Sequence, residues 1–199
     1  MTYPQVLDYL SASERLGIKF GLSNIRKLLR ATGIDEDKFQ IIHITGTNGK
    51  GSVAIFLSSI LREAGFKVGL YTSPHLIDFR ERIQVDGRYI PKRKVSELFP
   101  QLLFFTRTPS TRFSLRPTYF EIMTALALKY FSQANVEIAV LEVGMGGRLD
   151  ATNVFNRSLV SVITNVNYEH TEYLGKRISD IAGEKAGIIK RNGIVITGV

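Results

Sequence analysis

Residues 41–52 read IIHITGTNGKGS, and this stretch decides the fold class. Its first five residues are mostly apolar and β-branched, which is typical of a short buried strand. A glycine-rich turn follows at once, and the helical pattern SVAIFLSSILREAG then runs from Ser52 to Gly65. The sequence therefore predicts a strand, a tight loop and a helix in immediate succession.

Apolar strands and amphipathic helices continue to alternate along the chain. Two helices are expected to open it, the second with Ser23 as its cap and Gly33 as its stop. Further strands are predicted at 67–72, 137–143, 158–166 and 193–198, with a hairpin at 82–90 around Asp86 and Gly87. Helices are predicted at 94–106, 118–131 and 178–190, and a loop at 107–117. This order indicates an α/β domain with a mostly parallel sheet and helices on both faces.

The composition excludes several classes of protein. The chain has 199 residues, of which 44% are hydrophobic and 22% charged, as expected of one packed domain. It has no cysteine, which rules out disulfides, thiolate zinc sites and a cysteine nucleophile. No stretch approaches the roughly 20 apolar residues that span a bilayer, and the acidic amino terminus is unlike a signal peptide. A cytoplasmic protein without a membrane partner is expected.

The net charge of +8 favours anionic partners. The cations are scattered, with local clusters at 26–30 and 92–94, and no zinc-finger, homeodomain or RNA-binding pattern accompanies them. A solvated basic face and anionic small substrates both explain the charge better than nucleic acid does. No nucleic-acid partner is therefore expected.

The loop GTNGKGS, from Gly46 to Ser52, has the composition of a phosphate-binding loop. In such a loop backbone N–H groups approach phosphate oxygens, the helix that follows adds its dipole, and a lysine neutralises charge. Lys50 is the candidate lysine. The spacing departs from GxxxxGK[ST], because Ile44 stands where the first glycine belongs and Gly51 replaces the metal-binding hydroxyl. A glycine-rich connection that opens an ordinary helix is the alternative.

Another residue must supply the magnesium ligand that Gly51 lacks, because Mg²⁺ prefers hard oxygen donors. Ser73 follows the strand at 67–72, and Glu142 lies within the strand at 137–143, where an unpartnered acid is costly. Both fall near strand ends, where open parallel sheets bind their ligands. A turn or cap role for Ser73 and a structural salt bridge for Glu142 remain open alternatives.

Two further polar residues follow predicted elements close to the same edge. His170 comes just after the strand at 158–166, either as a metal ligand or acid/base group or as a hydrogen-bonded structural histidine. Lys185 lies in the helix at 178–190, where periodicity alone predicts a solvated surface lysine.

Seven segments together resemble one enzyme family. They are GTNGKGS (46–52), LYTSPHL (70–76), ERI (81–83), TYFE (118–121), LEVGMGGRLDATN (141–153), EHTEYLG (169–175) and GEKAGIIK (183–190). The pattern is similar to that of folylpolyglutamate and dihydrofolate synthases of the Mur ligase superfamily, and it covers nearly the whole chain. Cell-wall Mur ligases share the phosphate loop but usually carry a hydroxyl residue at Gly51, so SPHL and GGRLDATN favour the folate branch.

The resemblance implies a P-loop-containing Mur-ligase central domain over 1–199 that uses ATP and Mg²⁺ and acts as a monomer. In this family ATP phosphorylates a carboxylate of folate or dihydropteroate, and the amine of L-glutamate then displaces phosphate. Family members also carry a carboxy-terminal ligase domain that these residues do not include. The chain is thus expected to be incomplete, to bind ATP weakly alone and not to ligate glutamate. A non-catalytic ATP-binding fragment and another Mur-family amide ligase are the alternatives.

The resemblance also implies site residues by position. ATP would contact Thr47, Asn48, Gly49, Lys50, Gly51 and Ser52. Magnesium would be held by Ser73, Glu142, His170 and Lys185, the last as a carbamate, and catalysis would involve Lys50, His170 and Lys185. A pterin pocket would be lined by Thr118, Tyr119, Phe120, Leu149, Asp150 and Ala151. Glu169 departs from the aspartate usual in the family, and its extra methylene is expected to shift His170 slightly.

Overall fold

The computed structural model describes residues 1–14, 17, 19–34, 38–107 and 117–198, with only the backbone at 105–107. Its strands are β1 (Gln40–Thr45), β2 (Val68–Tyr71), β3 (Ile83–Val85), β4 (Arg88–Tyr89), β5 (Ile138–Glu142), β6 (Val160–Ile163) and β7 (Ile194–Thr197). They form one sheet in the order β4-β3-β2-β5-β1-β6-β7. β3 and β4 form an antiparallel extension, and the other five strands are parallel. The predicted mostly parallel sheet is confirmed.

Helices cover both faces of this sheet, as predicted. They are α1 (Tyr3–Glu14), α2 (Ser23–Ala31), α3 (Lys50–Glu63), α4 (Lys92–Arg107), α5 (Tyr119–Ala134), α6 (Thr171–Leu174) and α7 (Ile178–Ala186), with a 3₁₀ turn at Phe79–Arg82. Side chains alternate along β1, so Ile42 faces α3 while Ile41 joins the larger core formed with α1, α2, α4 and α5. Within the described residues, no helix combines the length and apolar character needed to cross a bilayer.

The turn chemistry is mostly as predicted. Asp86 and Gly87 both have positive φ, at 50° and 73°, which is the backbone of a two-residue hairpin turn. Gly33, with φ 64°, ends α2 as expected. The predicted cap at Ser23 is wrong: Ser23 is already helical, and Leu22 precedes it without a side-chain cap. The central part of the predicted loop at 107–117 lies outside the described residues.

Four strand-end loops meet at one edge of the sheet. β1 lies between β5 and β6. After β1 the chain continues to β2 on one side of the sheet centre, and after β5 it continues to β6 on the other side. Backbone hydrogen bonds hold the exits together: the Val143 N–H donates to the Ile44 carbonyl at 2.9 Å, and the Thr47 N–H donates to the Asn165 carbonyl at 3.1 Å. In open parallel sheets such a point forms the ligand-binding crevice. The fold thus places the predicted site at the carboxyl edge.

Candidate active site

A cavity of about 550 Å³ opens at this edge of the sheet. It brings together predicted residues that are far apart in the sequence: Thr47, Lys50, Ser73, Thr118, Tyr119, Phe120, Leu149, Asp150, Ala151 and His170. Other predicted residues do not line it, namely Asn48, Gly49, Gly51, Ser52, Glu142 and Lys185. One end of the cavity is therefore polar and lies at the predicted phosphate loop, and the other end is largely apolar and aromatic.

The predicted phosphate loop has the backbone of a helix start. Gly49 has φ 80°, a left-handed conformation that favours glycine, and α3 begins at the next residue, Lys50. The first-turn N–H groups of a helix have no acceptor within the helix, and the helix dipole makes this end electropositive. The Lys50 ammonium folds back over the loop, donating to the carbonyls of Gly46 at 2.7 Å and Thr47 at 3.1 Å. This arrangement is suited to binding phosphate oxygens.

The segment after β6 braces this loop. The Asn165 side-chain oxygen accepts hydrogen bonds from the N–H groups of Thr47 at 3.1 Å and Asn48 at 2.9 Å. The Thr164 hydroxyl donates to the Asn48 carbonyl at 2.6 Å. Sequence reasoning missed both residues, although the polar run TNVN directly after a buried strand was an available signal. The loop is therefore held in shape before any ligand binds.

Glu142, the last residue of β5, is only 4% exposed and lies beside the start of α3. Its Oε2 accepts a hydrogen bond from the Ser73 N–H at 3.0 Å, and a Cβ added at Gly51 would lie 3.5 Å from the same oxygen. Burial raises the pKa of this carboxyl, while the Ser73 N–H and the Lys50 charge oppose that rise. The alternative salt bridge is not found among the described residues.

The described residues contain no group of three or more His, Asp or Glu side chains placed to hold a metal ion. The predicted set does not depend on such a group, because it combines Glu142 and His170 with the Ser73 hydroxyl and Lys185. Mg²⁺ usually keeps several waters and binds one or two carboxylates together with substrate phosphates. The buried Glu142 carboxylate next to Ser73 fits that pattern. His170 lines the cavity from the start of α6, where it is exposed and has a left-handed φ of 42°.

Lys185 is fully buried, so the surface position predicted from periodicity is wrong. Ile181, Lys185 and Ile188 all have 0% exposure, and their i, i+4, i+7 spacing turns one face of α7 and its continuation inward. The Lys185 ammonium forms an ion pair with Glu169. Burial lowers the pKa of Lys185, whereas Glu169 opposes the change. Glu142 and His170 are not among its hydrogen-bond partners in the described structure.

The start of α5 supplies the aromatic wall of the cavity. Thr118 caps the helix: its hydroxyl accepts from the Glu121 N–H at 3.2 Å, and the Glu121 carboxylate accepts from the Thr118 N–H at 2.7 Å. The cap directs Tyr119 and Phe120 to the cavity. Phe120 lies so close to Gly144 that an added Cβ would come within 2.5 Å of its ring. Gly144 therefore leaves the room that Phe120 occupies.

Residues 44–197 match the Mur ligase middle domain family. The chain belongs to this family. It is 40% identical over 198 residues to the dihydrofolate synthase/folylpolyglutamate synthase of Bacillus subtilis, covering 99% of this chain and 46% of that protein. It is 42% identical over 199 residues to a probable bifunctional folylpolyglutamate synthase/dihydropteroate synthase of Haloferax volcanii, covering 100% of this chain and 23% of that protein.

Solved structures of the same branch of the Mur ligase superfamily share the fold. The apo form of L. casei FPGS superposes with a TM-score of 0.89 at 40% identity, covering 99% of this chain and 48% of that one. E. coli FolC in complex with DHPP and ADP superposes with a TM-score of 0.87 at 38% identity, covering 96% of this chain and 45% of that one. The suspected family resemblance is confirmed. This chain spans about half the length of these two solved chains and less of the Haloferax protein.

The segment GMGGRLDATN (144–153) forms another wall of the cavity, and hydrogen bonds to Asp150 hold its backbone in place. Asp150 Oδ2 accepts from the N–H groups of Gly144 and Met145, both at 3.0 Å. Asp150 Oδ1 accepts from the Thr152 N–H at 2.9 Å and the Thr152 hydroxyl at 2.5 Å. That hydroxyl is also 2.8 Å from Nε2 of the buried His43 on β1. Burial lowers the pKa of His43 to about 3, so its imidazole is neutral at neutral pH. Asp150 thus fixes the backbone of the cavity wall to which it belongs.

Removing the Thr152 hydroxyl should destabilise this Mur-ligase domain. Thr152→Val leaves the buried His43 Nε2 without its partner and Asp150 Oδ1 with only the backbone N–H of residue 152, which costs about 1–3 kcal/mol. The measurement is the free energy of unfolding from urea titration. Thr2→Val is the matched control, because Thr2 is exposed and should unfold like the parent protein. Equal stability of Thr152→Val and the parent would contradict the importance of this network.

Proposed function

We propose that this domain is the nucleotide-binding and acceptor-binding part of an ATP- and Mg²⁺-dependent ligase that joins L-glutamate to folate or dihydropteroate. The observation that carries the proposal is one cavity that runs from Lys50 and Thr47 to the aromatic and apolar residues Phe120 and Leu149. The relatives support it: solved structures include E. coli FolC with DHPP and ADP, and an FPGS-AMPPCP-folate complex. The Bacillus relative is named for both activities.

The two ends of the cavity have complementary roles in this proposal. The flat bicyclic head of the acceptor binds among Phe120, Leu149 and Ala151, and its carboxylate points towards the phosphate loop. ATP phosphates lie against the start of α3, where Lys50 offsets their charge. Transfer of the terminal phosphoryl group to the carboxylate gives an acyl phosphate, and the glutamate amine then attacks its carbonyl carbon and releases phosphate. Positioning and electrostatic stabilisation carry most of the catalysis in such a reaction.

Glu142 and Ser73 would hold Mg²⁺ next to these phosphates, with His170 as a further ligand. The donor set suits the ion, since a carboxylate and a hydroxyl are hard oxygen ligands. Bound Mg²⁺ supplies positive charge that stabilises the transferring phosphoryl group. Gly51 contributes by its lack of a side chain, which leaves the Glu142 carboxylate open to the start of α3.

Replacing Glu142 should weaken magnesium-dependent nucleotide binding. Glu142→Gln removes the anionic ligand with little change of shape, and we expect the Mg²⁺ concentration at half-saturation to rise by about 10-fold or more. The measurement is a Mg²⁺ titration of the binding of a non-hydrolysable ATP analogue. Glu63→Gln, an exposed glutamate at the end of α3, is the matched control. An unchanged titration of Glu142→Gln would remove Glu142 from the ligand set.

The same titration should depend on pH. Burial raises the pKa of Glu142 above its usual value, and only the carboxylate form binds Mg²⁺. Magnesium affinity should therefore be full above the raised pKa and fall as the pH drops through it. The Glu142→Gln protein should lose this pH dependence. A parent protein whose Mg²⁺ affinity is constant down to the ordinary carboxyl range would contradict the assignment.

Product analysis tests the proposed function. The full-length protein is incubated with MgATP, glutamate and either dihydropteroate or tetrahydrofolate, and mass spectrometry follows the acceptor. Gain of one glutamyl unit supports the proposal and shows which acceptor is used. ATP binding without any product would favour the non-catalytic module, and a product with another amino acid would favour another Mur-family amide ligase. A cytoplasmic location and a monomeric state remain predictions.

A further inference from the structure

Arg82 is a buried cation that no described residue neutralises by an ion pair. It ends the 3₁₀ turn Phe79–Arg82 and is only 9% exposed. Its Nε–H donates to Nδ1 of His75 at 2.9 Å, and its guanidinium carbon lies 5.3 Å from the centre of the Tyr119 ring. No carboxylate lies within ion-pair distance of it in the described residues. A buried charge without a counter-charge is costly, so this site is incomplete without an anion.

Arg80 provides an internal comparison two residues earlier. Its guanidinium forms an ion pair with Asp78, with Nη2 2.6 Å from Oδ2, and its Nε donates to the same carboxylate. The protein therefore neutralises Arg80 with its own acid. Arg82 lines the cavity and Arg80 does not. The difference indicates that the counter-charge of Arg82 comes from a ligand.

The guanidinium of Arg82 is held in an orientation that suits a planar anion. His75 and the face of Tyr119 fix the plane and occupy Nε. In the described structure every fully buried side-chain nitrogen has a hydrogen-bond partner. The terminal nitrogens of Arg82 have none there, so they keep some accessible surface, and Arg82 lines the cavity. Two parallel N–H groups of an arginine fit the two oxygens of a carboxylate.

One carboxylate of the protein lies near Arg82 without forming an ion pair with it. The Glu142 carboxylate is close enough for Arg82 to lower its pKa, but it accepts from the Ser73 N–H. The phosphate end of the cavity has its own cation in Lys50 and the start of α3. Arg82 lines the same cavity as Ser73, Tyr119 and Lys50.

We propose that Arg82 binds the carboxylate of the acceptor substrate and directs it towards the phosphate loop. The inference rests on the proposed function and deepens it, because it assigns the recognition of the acceptor's acid group to one side chain. A ligand with the same bicyclic and aromatic body but no carboxylate should gain nothing from Arg82.

The test compares dihydropteroate with its uncharged carboxamide as ligands of the full-length protein. Dissociation constants are measured for the parent protein and for Arg82→Gln, Arg82→Lys and Arg80→Gln. The parent protein and Arg80→Gln should prefer the carboxylate. In Arg82→Gln the preference should fall by about tenfold or more, with carboxamide affinity unchanged, because a charged hydrogen bond is lost. Arg82→Lys should keep part of the preference, since it keeps the charge but loses the planar fork.

Two results would overturn the assignment. One is an undiminished carboxylate preference in both Arg82 variants, and the other is a loss of ATP affinity in place of the carboxylate preference, which would make Arg82 a phosphate ligand. Retained carboxamide binding shows that a variant is folded. If Arg82→Gln fails to fold, Arg82→Lys decides the question alone. Either result can occur in a protein that forms the glutamyl product, so failure of this inference is distinct from failure of the proposed function.

Discussion

Lys50→Ala should abolish nucleotide turnover in the full-length protein and leave its fold intact. Among the described residues the Lys50 ammonium bonds only the carbonyls of Gly46 and Thr47 in the loop before α3, so its loss removes charge from the phosphate site without opening a core cavity. Loss of one preorganised group that stabilises transition-state charge lowers kcat by about 10²–10³-fold. The measurements are kcat for ATP-dependent product formation and the thermal unfolding midpoint.

Lys176→Ala is the control for Lys50→Ala, because Lys176 is an exposed lysine outside the cavity. It should retain parental kcat and stability. Near-parental kcat in Lys50→Ala would show that the glycine-rich loop is only a structural connection. A large fall in the unfolding midpoint would show that Lys50 has a structural role instead.

Lys185→Ala should also lose most activity, for a different reason. Lys185 is buried, its pKa is lowered by that burial, and Lys50 adds like charge nearby. A neutral amine there can take up carbon dioxide, losing one proton and gaining a carboxylate-like group. The resulting carbamate would replace the ammonium that pairs with Glu169 by an oxygen ligand for Mg²⁺. We expect activity to fall roughly 10–100-fold in Lys185→Ala, the range seen when support of a metal site is lost.

Chemical rescue separates the carbamate from a merely structural lysine. Acetate or formate added to Lys185→Ala should restore part of the activity by occupying the vacated ligand position. Lys190→Ala is a matched control, because Lys190 is also partly buried with a lowered pKa and donates to the Asn153 side chain at 2.6 Å. Its defect should not respond to the acids. Full activity of Lys185→Ala, or equal rescue of both variants, would refute the carbamate.

The fold could be predicted from the sequence because its elements carry local signals. The buried strand, glycine loop and helix around Lys50 are contiguous, and the hairpin at Asp86 and Gly87 is determined by two residues that tolerate positive φ. The ends of strands were less predictable where the residues that follow them contact the candidate site. β6 ends at Ile163 and not at 166, because Thr164 and Asn165 turn away to brace the phosphate loop.

The site was predictable only in part, because its chemistry depends on tertiary contacts. Family segments indicated Leu149 and Phe120, and the structure places both on one cavity. The spacing of Ile181, Lys185 and Ile188 was a local signal for the burial of Lys185, but the prediction of a surface lysine did not take it into account. Arg82 lies in the family segment ERI, but no local pattern indicated its burial, because its environment is made by Tyr119, which lies 37 positions further along the chain.

In the proposed reaction ATP activates a carboxylate of the acceptor as an acyl phosphate. Dihydropteroate or folate labelled with ¹⁸O in its carboxylate tests this directly when the full-length protein turns it over with MgATP and glutamate. One carboxylate oxygen should become the bridging oxygen of the acyl phosphate and leave with phosphorus when the glutamate amine attacks. We expect inorganic phosphate that carries one ¹⁸O per molecule of glutamyl product. Unlabelled phosphate formed together with product would contradict it.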